Sequence, residues 1–284
     1  SCIKYLKDNS KANSKIYYSG QAYRRSKSLN KVINYQLGLE IFGSKKKSLD
    51  DLKVLKTITN SINKIKIKNI SIKVGDVSLF KQLIDSLKIP ERWRMRLKRH
   101  FWRPQYFEDL LNRLETNSDV DPSTVELDKK KFYEMKNIDQ NKEVANRKVS
   151  EIISRFDRKI KDPRSFKENK KTAKIIKDFL KINCPLDKLE KTLNNFINKN
   201  QLNKSVFKDL SSLKNLSRLN SKITFSTNFG RDIEYYSGVV FEIYNSSKKE
   251  IARGGRYDGL LKSLGSKKNI SAVGAAINLN NLKT

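Results

Sequence analysis

Histidine is nearly missing from this chain: His100 stands alone among 284 residues. Imidazole-based catalytic triads and His-rich metal sites are therefore almost excluded. Cysteine is scarce as well. Cys2 and Cys184 are isolated and form no CxxC pair, which argues against a disulfide framework or a zinc site and fits a reducing cytoplasm. No metal and no cofactor is expected. Apolar runs stay short of membrane-spanning length, and no secretory leader opens the chain. The expectation is a soluble, cytoplasmic protein with no membrane partner. Because Ser1 is not an initiator residue, further sequence is expected upstream.

Acidic residues are the next shortage. Asp and Glu number 30 against 61 Lys and Arg, giving a net charge of +31. Such a balance invites a nucleic-acid reading. However, 45 of the basic residues are lysines, spread along the whole chain among many Asn and Ile. Phosphate-reading surfaces cluster their charge and favour arginine. Composition bias accounts for this pattern better, so nucleic acid is not expected as a partner. The stretch "ERWRMRLKRHFWR" (91–103) mixes basic and aromatic residues, but Trp93, Leu97 and Phe101 recur at helical spacing. That spacing marks a packed helix face, and His100 is read as structural or as part of a partner surface.

The remaining pattern places strands at both ends of the chain. "KIYYSGQAYRR" and "KVINYQLGLEIFG" read as paired strands, followed by a helix from Leu49 to Ile65 capped by Ser48. "KNISIKVGD" alternates like a half-buried strand, and "DVSLFKQLIDSLKIP" is an amphipathic helix. Helical patterns follow from 104 to 220, including a capping box of Ser165 and Glu168. In "PLDKLEKTLNNFI", Leu186, Leu189, Leu193, Phe196 and Ile197 share one face, and Val206, Leu210 and Leu213 repeat the design. Strands return at 222–228, 234–244, 249–253 and 271–277. The expected division is a discontinuous core of 1–103 and 221–284 with a helical insertion at 104–220.

Three of these strands share one plan. In 31–42, apolar Ile33, Leu37, Leu39 and Ile41 alternate with Gln36, Gly38 and Glu40. In 234–244, Val239, Phe241 and Ile243 alternate with Tyr236, Gly238 and Glu242. In 271–277, Val273, Ala275 and Ile277 oppose Gly274 and Ala276. One face can pack on helices. The other carries glycine beside fixed polar groups, as a sheet floor for a small polar ligand would, with glycine letting the ligand reach the backbone. A solvated antiparallel face is the alternative. Lysine, abundant elsewhere, is absent from these positions. "RGGRYDG" fits neither phosphate-loop pattern, and its glycines are read as a turn before a helix at 256–264.

"GRDIEYYSGVVFEIY", "ARGGRYDGLLKSLG" and "AVGAAINL", preceded by "YYSGQAYRR" and "YQLGLE", resemble the catalytic core of the histidyl-tRNA synthetase-like family, in the family's order. "VGDVSLFKQLIDSLKIPERWRMRLKRHFWRP" is similar to the branch of ATP phosphoribosyltransferase regulatory subunits. The resemblance implies an α+β fold, a six-stranded antiparallel sheet of the class II aminoacyl-tRNA synthetase type with flanking helices. It implies a histidine site at Gln36, Glu40, Arg231, Tyr236 and Tyr257, and leaves Arg24 as a vestige of an ATP site. The family's motif 3 Gly-Leu-Glu-Arg is Asn278, Leu279, Asn280 and Asn281 here, and Ser26 and Asn30 stand near other expected charged positions. The arginine clamp for ATP is thus depleted. "CIKYL" matches the segment after motif 1, so an N-terminal truncation is implied. The function implied is a non-catalytic subunit that binds and activates short-form ATP phosphoribosyltransferase in histidine biosynthesis, senses L-histidine, and self-associates at full length. A histidyl-tRNA synthetase fragment and an RNA-binding module remain as alternatives.

Overall fold

The computed structural model describes residues 2–7, 13–23, 33–116, 122–161, 166–219 and 222–282. They form two compact units, 1–83 with 179–284, and 84–178.

The first unit holds the sheet. Helix α1 (Cys2–Lys7) precedes strands β1 (Ser14–Tyr23) and β2 (Ile33–Phe42), which pair antiparallel from Ser14↔Phe42 to Tyr23↔Ile33. Helix α2 (Lys47–Lys64) buries Val54, Leu55, Ile58 and Ile62, one stripe at helical spacing. Ser48 does not cap it: the N-cap position is Lys46, and Ser48 lies within the first turn. Strand β3 (Ser71–Asp76) buries Ile72 and Val74 and runs directly into α3 (Val77–Ser86).

The second unit is built from α4 (Glu91–His100), α5 (Pro104–Thr116), α6 (Pro122–Lys136), a small hairpin of β4 (Glu143–Val144) and β5 (Arg147–Lys148), α7 (Val149–Lys161) and most of α8 (Asn169–Leu180). Trp93, Leu97 and Phe101 are buried as their spacing required, and His100 packs edge-on against Tyr106 with ring centres 4.7 Å apart. The hairpin turns through Ala145 and Asn146, both at positive φ. Two-residue strands carry too little alternation to be read from sequence. Asn169 begins α8 and donates to the carbonyls of Leu114 and Glu115 at the end of α5. Ser165 of the expected capping box lies outside the described residues.

The chain then returns to the first unit. Strand β6 (Asn183–Pro185), α9 (Leu189–Lys199), α10 (Ser211–Leu216), β7 (Ile223–Ser226), β8 (Val239–Tyr244), β9 (Glu250–Arg256), α11 (Leu260–Ser263) and β10 (Ala272–Asn278) complete it. Leu186, Leu189, Leu193, Phe196 and Ile197 are all buried.

The sheet runs β1-β2-β10-β9-β8-β3-β7-β6. It is mixed α and β as expected, but wider than six strands: eight join it among the described residues. One pair, β3 with β7, is parallel. The edge strand β6 was hidden because three residues pairing with Thr224–Ser226 leave no periodic signal. Strand β8 begins at Val239 and not at 234, because Gly230 at φ 77° and a turn from Tyr236 N–H to the Ile233 carbonyl hold 230–236 out of the ladder, and only Ser237 N–H reaches β9, at the Arg256 carbonyl. Gly254 and Gly255 belong to β9 itself and do not form the expected turn; the helix after them shrinks to α11.

Candidate ligand site on the sheet

The register aligns the polar positions in rows. Glu40 faces Gly274, which faces Gly255, which faces Val240. One row along, Tyr18, Gly38, Ala276, Arg253 and Glu242 stand side by side. A third row holds Gly20, Gln36 and Asn278. The opposite face carries Leu39, Ala275, Gly254 and Phe241, on the side packed by α2.

The floor of small residues is present, but it serves the protein's own side chains first. A Cβ at Gly38 would collide with the Tyr18 ring, and one at Gly274 with the Glu40 carboxylate. At Gly255 a Cβ would lie 2.7 Å from Tyr236 Cε1. The glycines therefore let Tyr18, Glu40 and Tyr236 lie flat on the sheet, where the sequence suggested open backbone for a ligand.

Those side chains converge. The Tyr257 hydroxyl donates to Glu40 Oε2, and the Tyr18 hydroxyl donates to Oε1 at 3.4 Å. Tyr235 contacts both neighbouring rings, tilted against Tyr236 at 4.8 Å and edge-on to Tyr257 at 6.1 Å. Burial pushes the Glu40 carboxyl up, against the pull of the two tyrosine hydroxyls. Burial likewise pushes Tyr257 and Tyr236 up, and the neighbouring Glu40 charge adds to both. Helix α1 closes this end: Tyr5 stacks on Phe42 at 4.6 Å, and the Cys2 thiol lies within reach of Tyr257, its pKa raised by burial and then by Glu40.

Of the residues singled out from sequence, Glu40, Tyr236 and Tyr257 are thus brought together. Gln36 lies on the same face of β2, half-buried. Arg231 is 4% exposed in the loop before β8, and its Nη1 donates to Asn228 Oδ1 at 2.8 Å. Arg24 lies outside the described residues, as do Ser26 and Asn30. Tyr18 was missed, although its hairpin partner Gly38 was the available signal. Arg253 was missed too, although counting back two from Gly255 places it on the same face. Cys2 had no signal in the sequence.

The motif 3 asparagines act as ties. Asn281 Nδ2 donates to the Glu250 carbonyl at 2.7 Å, while Asn280 Oδ1 accepts from Tyr35 N–H at 3.1 Å. Arg256 of "GGRYDG" is structural. It pairs with Asp51 at 2.7 Å and Asp258 at 2.9 Å, and donates to the Lys47 carbonyl and to Ser271.

A broad, mostly antiparallel sheet with polar groups gathered on one face and helices on the other defines a class II aminoacyl-tRNA synthetase-like fold. A solved ATP phosphoribosyltransferase regulatory subunit/histidyl-tRNA synthetase from Bacillus halodurans shares it, with TM-score 0.55 and 16% identity, covering 99% of this chain and 60% of that one. The chain belongs to the histidyl-tRNA synthetase family, whose model matches residues 3–282. It is 24% identical to the ATP phosphoribosyltransferase regulatory subunit of Allorhizobium ampelinum, over 99% of this chain and 80% of the relative. It is also similar in fold to a chain of the ATP phosphoribosyl transferase (HisG:HisZ) complex from Thermotoga maritima, with TM-score 0.51 and 20% identity, covering 98% of this chain and 80% of that one.

Proposed function

We propose that this protein is a non-catalytic regulatory subunit that binds and activates a short-form ATP phosphoribosyltransferase, in the first step of histidine biosynthesis, and takes part in feedback sensing by L-histidine. The observation that carries this reading is Asn281. It stands where an ATP-binding synthetase needs arginine, and its amide is committed to a backbone carbonyl of β9. A site that keeps polar groups for an amino acid but gives up the phosphate clamp suits binding without adenylate chemistry. Regulatory-subunit relatives that match nearly the whole chain support the same reading.

In this proposal Gln36, Glu40, Arg231, Tyr236 and Tyr257 line the histidine site. Glu40 and the tyrosine hydroxyls hold the imidazole nitrogens, since a carboxylate flanked by phenols offers both acceptors and donors. Histidine then acts by binding one state of the complex better than another. Residues 104–220 are proposed as the inserted helical segment of the family core, and the cytoplasm as the working compartment. No helix among the described residues is long and apolar enough to cross a membrane. Self-association of the complete protein belongs to the same proposal.

The test mixes the protein with a short-form ATP phosphoribosyltransferase. Co-sedimentation and a rise in phosphoribosyl transfer are expected, and histidine should reverse the rise. Failure to associate or to change the rate rejects the subunit reading. Histidine-dependent ATP–pyrophosphate exchange by this chain above a no-protein control would instead favour a synthetase fragment.

A further inference from the structure

Arginine, unlike lysine, is concentrated in one place. Five of the chain's 16 arginines fall between 92 and 103, where lysine appears once, although lysine outnumbers arginine 45 to 16 overall. Composition bias does not make such a cluster.

The five divide between two sides of α4. Arg94 serves the fold: its guanidinium donates to the carbonyls of Ile84, Leu87 and Ile89 and pairs with Glu91 at 3.1 Å. Lys98, four residues on, pairs with Asp85. Both acids are thus engaged on that side. Arg92, Arg96 and Arg99 lie on the other, within about 60° of arc at 3.6 residues per turn. Arg103 follows in the turn after α4, its N–H donating to the His100 carbonyl at 3.0 Å.

Two of these guanidiniums are braced by indole rings. Arg96 lies 4.9 Å from the Trp93 ring centre, and Arg103 lies 4.4 Å from that of Trp102. Arg99 and Arg103 are exposed, and neither pairs with a carboxylate among the described residues. The charges of Arg99, Arg103 and Arg96 meet at His100, where burial first and then these three hold the imidazole below its ordinary pKa. Arg92 with Arg96, and Arg96 with Arg99, are like-charge pairs at helical contact spacing, an arrangement that costs helix stability.

The surroundings select a protein over a nucleic acid. Met95, 44% exposed, borders the stripe and accepts from Arg158 Nη1 of α7 at 3.4 Å. Arginine, tryptophan and methionine are enriched in protein–protein interfaces and lysine is depleted, which is the composition here. Base stacking needs a free ring face. Trp93 is fully buried, and the Trp102 ring is overlaid by Arg103.

We infer that the arginine side of α4, with Arg103, is a docking surface for an acidic segment of a partner protein, whose carboxylates are taken by Arg96, Arg99 and Arg103. Guanidinium clusters recognise acidic motifs through forked, charge-assisted pairs. This rests on the reading of the chain as a subunit, and it adds where the contact is made.

The experiment measures binding of the full chain to three labelled probes by fluorescence anisotropy: a short-form ATP phosphoribosyltransferase, poly-L-glutamate and poly(A) RNA. Wild type is compared with Arg99→Glu plus Arg103→Glu, and with Arg99→Gln plus Arg103→Gln. Lys171→Glu plus Lys174→Glu, an equal charge reversal at exposed positions of α8, is the control. Reversal at the arginines should weaken binding of the enzyme and of poly-L-glutamate at least about tenfold, the scale of one charge-assisted pair. The melting temperature should hold, since both side chains are exposed. The glutamine variant introduces no repulsion, so it decides the matter if reversal disturbs folding; it should lose affinity in the same direction. The α8 control should bind like wild type. Wild-type affinity in both arginine variants overturns the inference, and so does an equal loss in the control, which would mark bulk charge alone. Poly(A) held more tightly than poly-L-glutamate through the same two arginines overturns it in favour of nucleic acid. If wild type ignores the phosphoribosyltransferase yet binds poly-L-glutamate through Arg99 and Arg103, the subunit reading fails and the acidic docking surface stands.

Discussion

At the scale of single residues, the sheet face is shaped by glycines that make room for neighbouring side chains. Gly274 is the sharpest case, because the Glu40 carboxylate and the Leu39 carbonyl at 2.7 Å both crowd its missing Cβ. Gly274→Ala is expected to cost about 1–3 kcal/mol by overpacking and to displace Glu40. Gly20→Ala, where nothing lies within 4 Å, should be nearly neutral. Paired urea melts check the contrast, and equal stability of the two variants would refute it. Asp76 supplies a pH test. Its carboxylate accepts from Ser78 N–H at 2.8 Å at the start of α3, and burial first, with Asp51 and Asp209 adding, pushes its pKa up to about 6. A raised carboxyl binds its proton more tightly in the folded chain. Its stabilising contribution is therefore full below about pH 4 and is lost as pH rises through about 6, a swing on the order of 3 kcal/mol. Asp76→Asn keeps an acceptor for Ser78 and removes the titration. It should flatten the stability profile between pH 4 and 6 and gain relative to wild type at pH 7.5. An identical pH slope in the two proteins would sink this assignment.

At the scale of elements, Arg256 fastens several pieces at once. From the end of β9 it reaches Asp51 and the Lys47 carbonyl in α2, Ser271 before β10, and Asp258. Ser212 of α10 completes the coordination of Asp51. Removing one member of a buried pair strands the other charge. Arg256→Ala is expected to destabilise the first unit by about 3–5 kcal/mol. The measurement is the denaturant midpoint, and a change of under about 1 kcal/mol would show that the network is dispensable. The short turn after β10 is a second fastening, because Asn280 and Asn281 reach the start of β2 and the start of β9.

At the scale of the whole molecule, the net charge of +31 opposes compaction. Mutual repulsion of exposed lysines is screened over a Debye length of ~10 Å at 0.1 M salt. The melting temperature should therefore rise when sodium chloride goes from about 50 to about 300 mM. Scanning calorimetry at the two salt levels checks this, and a flat or falling trend would mean that local ion pairs dominate the electrostatics.

The amino-acid sequence by itself determined the class of fold, because alternation of apolar residues at strand spacing and stripes at helical spacing are local signals. The faces of β2 and β10, the buried stripes of α4 and α9, and the polar positions of Glu40 and Tyr236 were legible in this way, whereas Tyr257 and Arg231 were singled out by resemblance to the family. Two-residue hairpin strands, the three-residue β6 and the late start of β8 were not, since each depends on a partner distant in the chain or on one backbone angle at Gly230. Tertiary structure alone decided what the glycines are for, because only pairing across strands brings Tyr18 over Gly38 and Glu40 over Gly274. It also decided that Arg253 lies on the site's floor while Arg256, three residues on, is buried in an ion pair. Alternation puts the two on opposite faces, and only the packing of α2 makes one of those faces an interior.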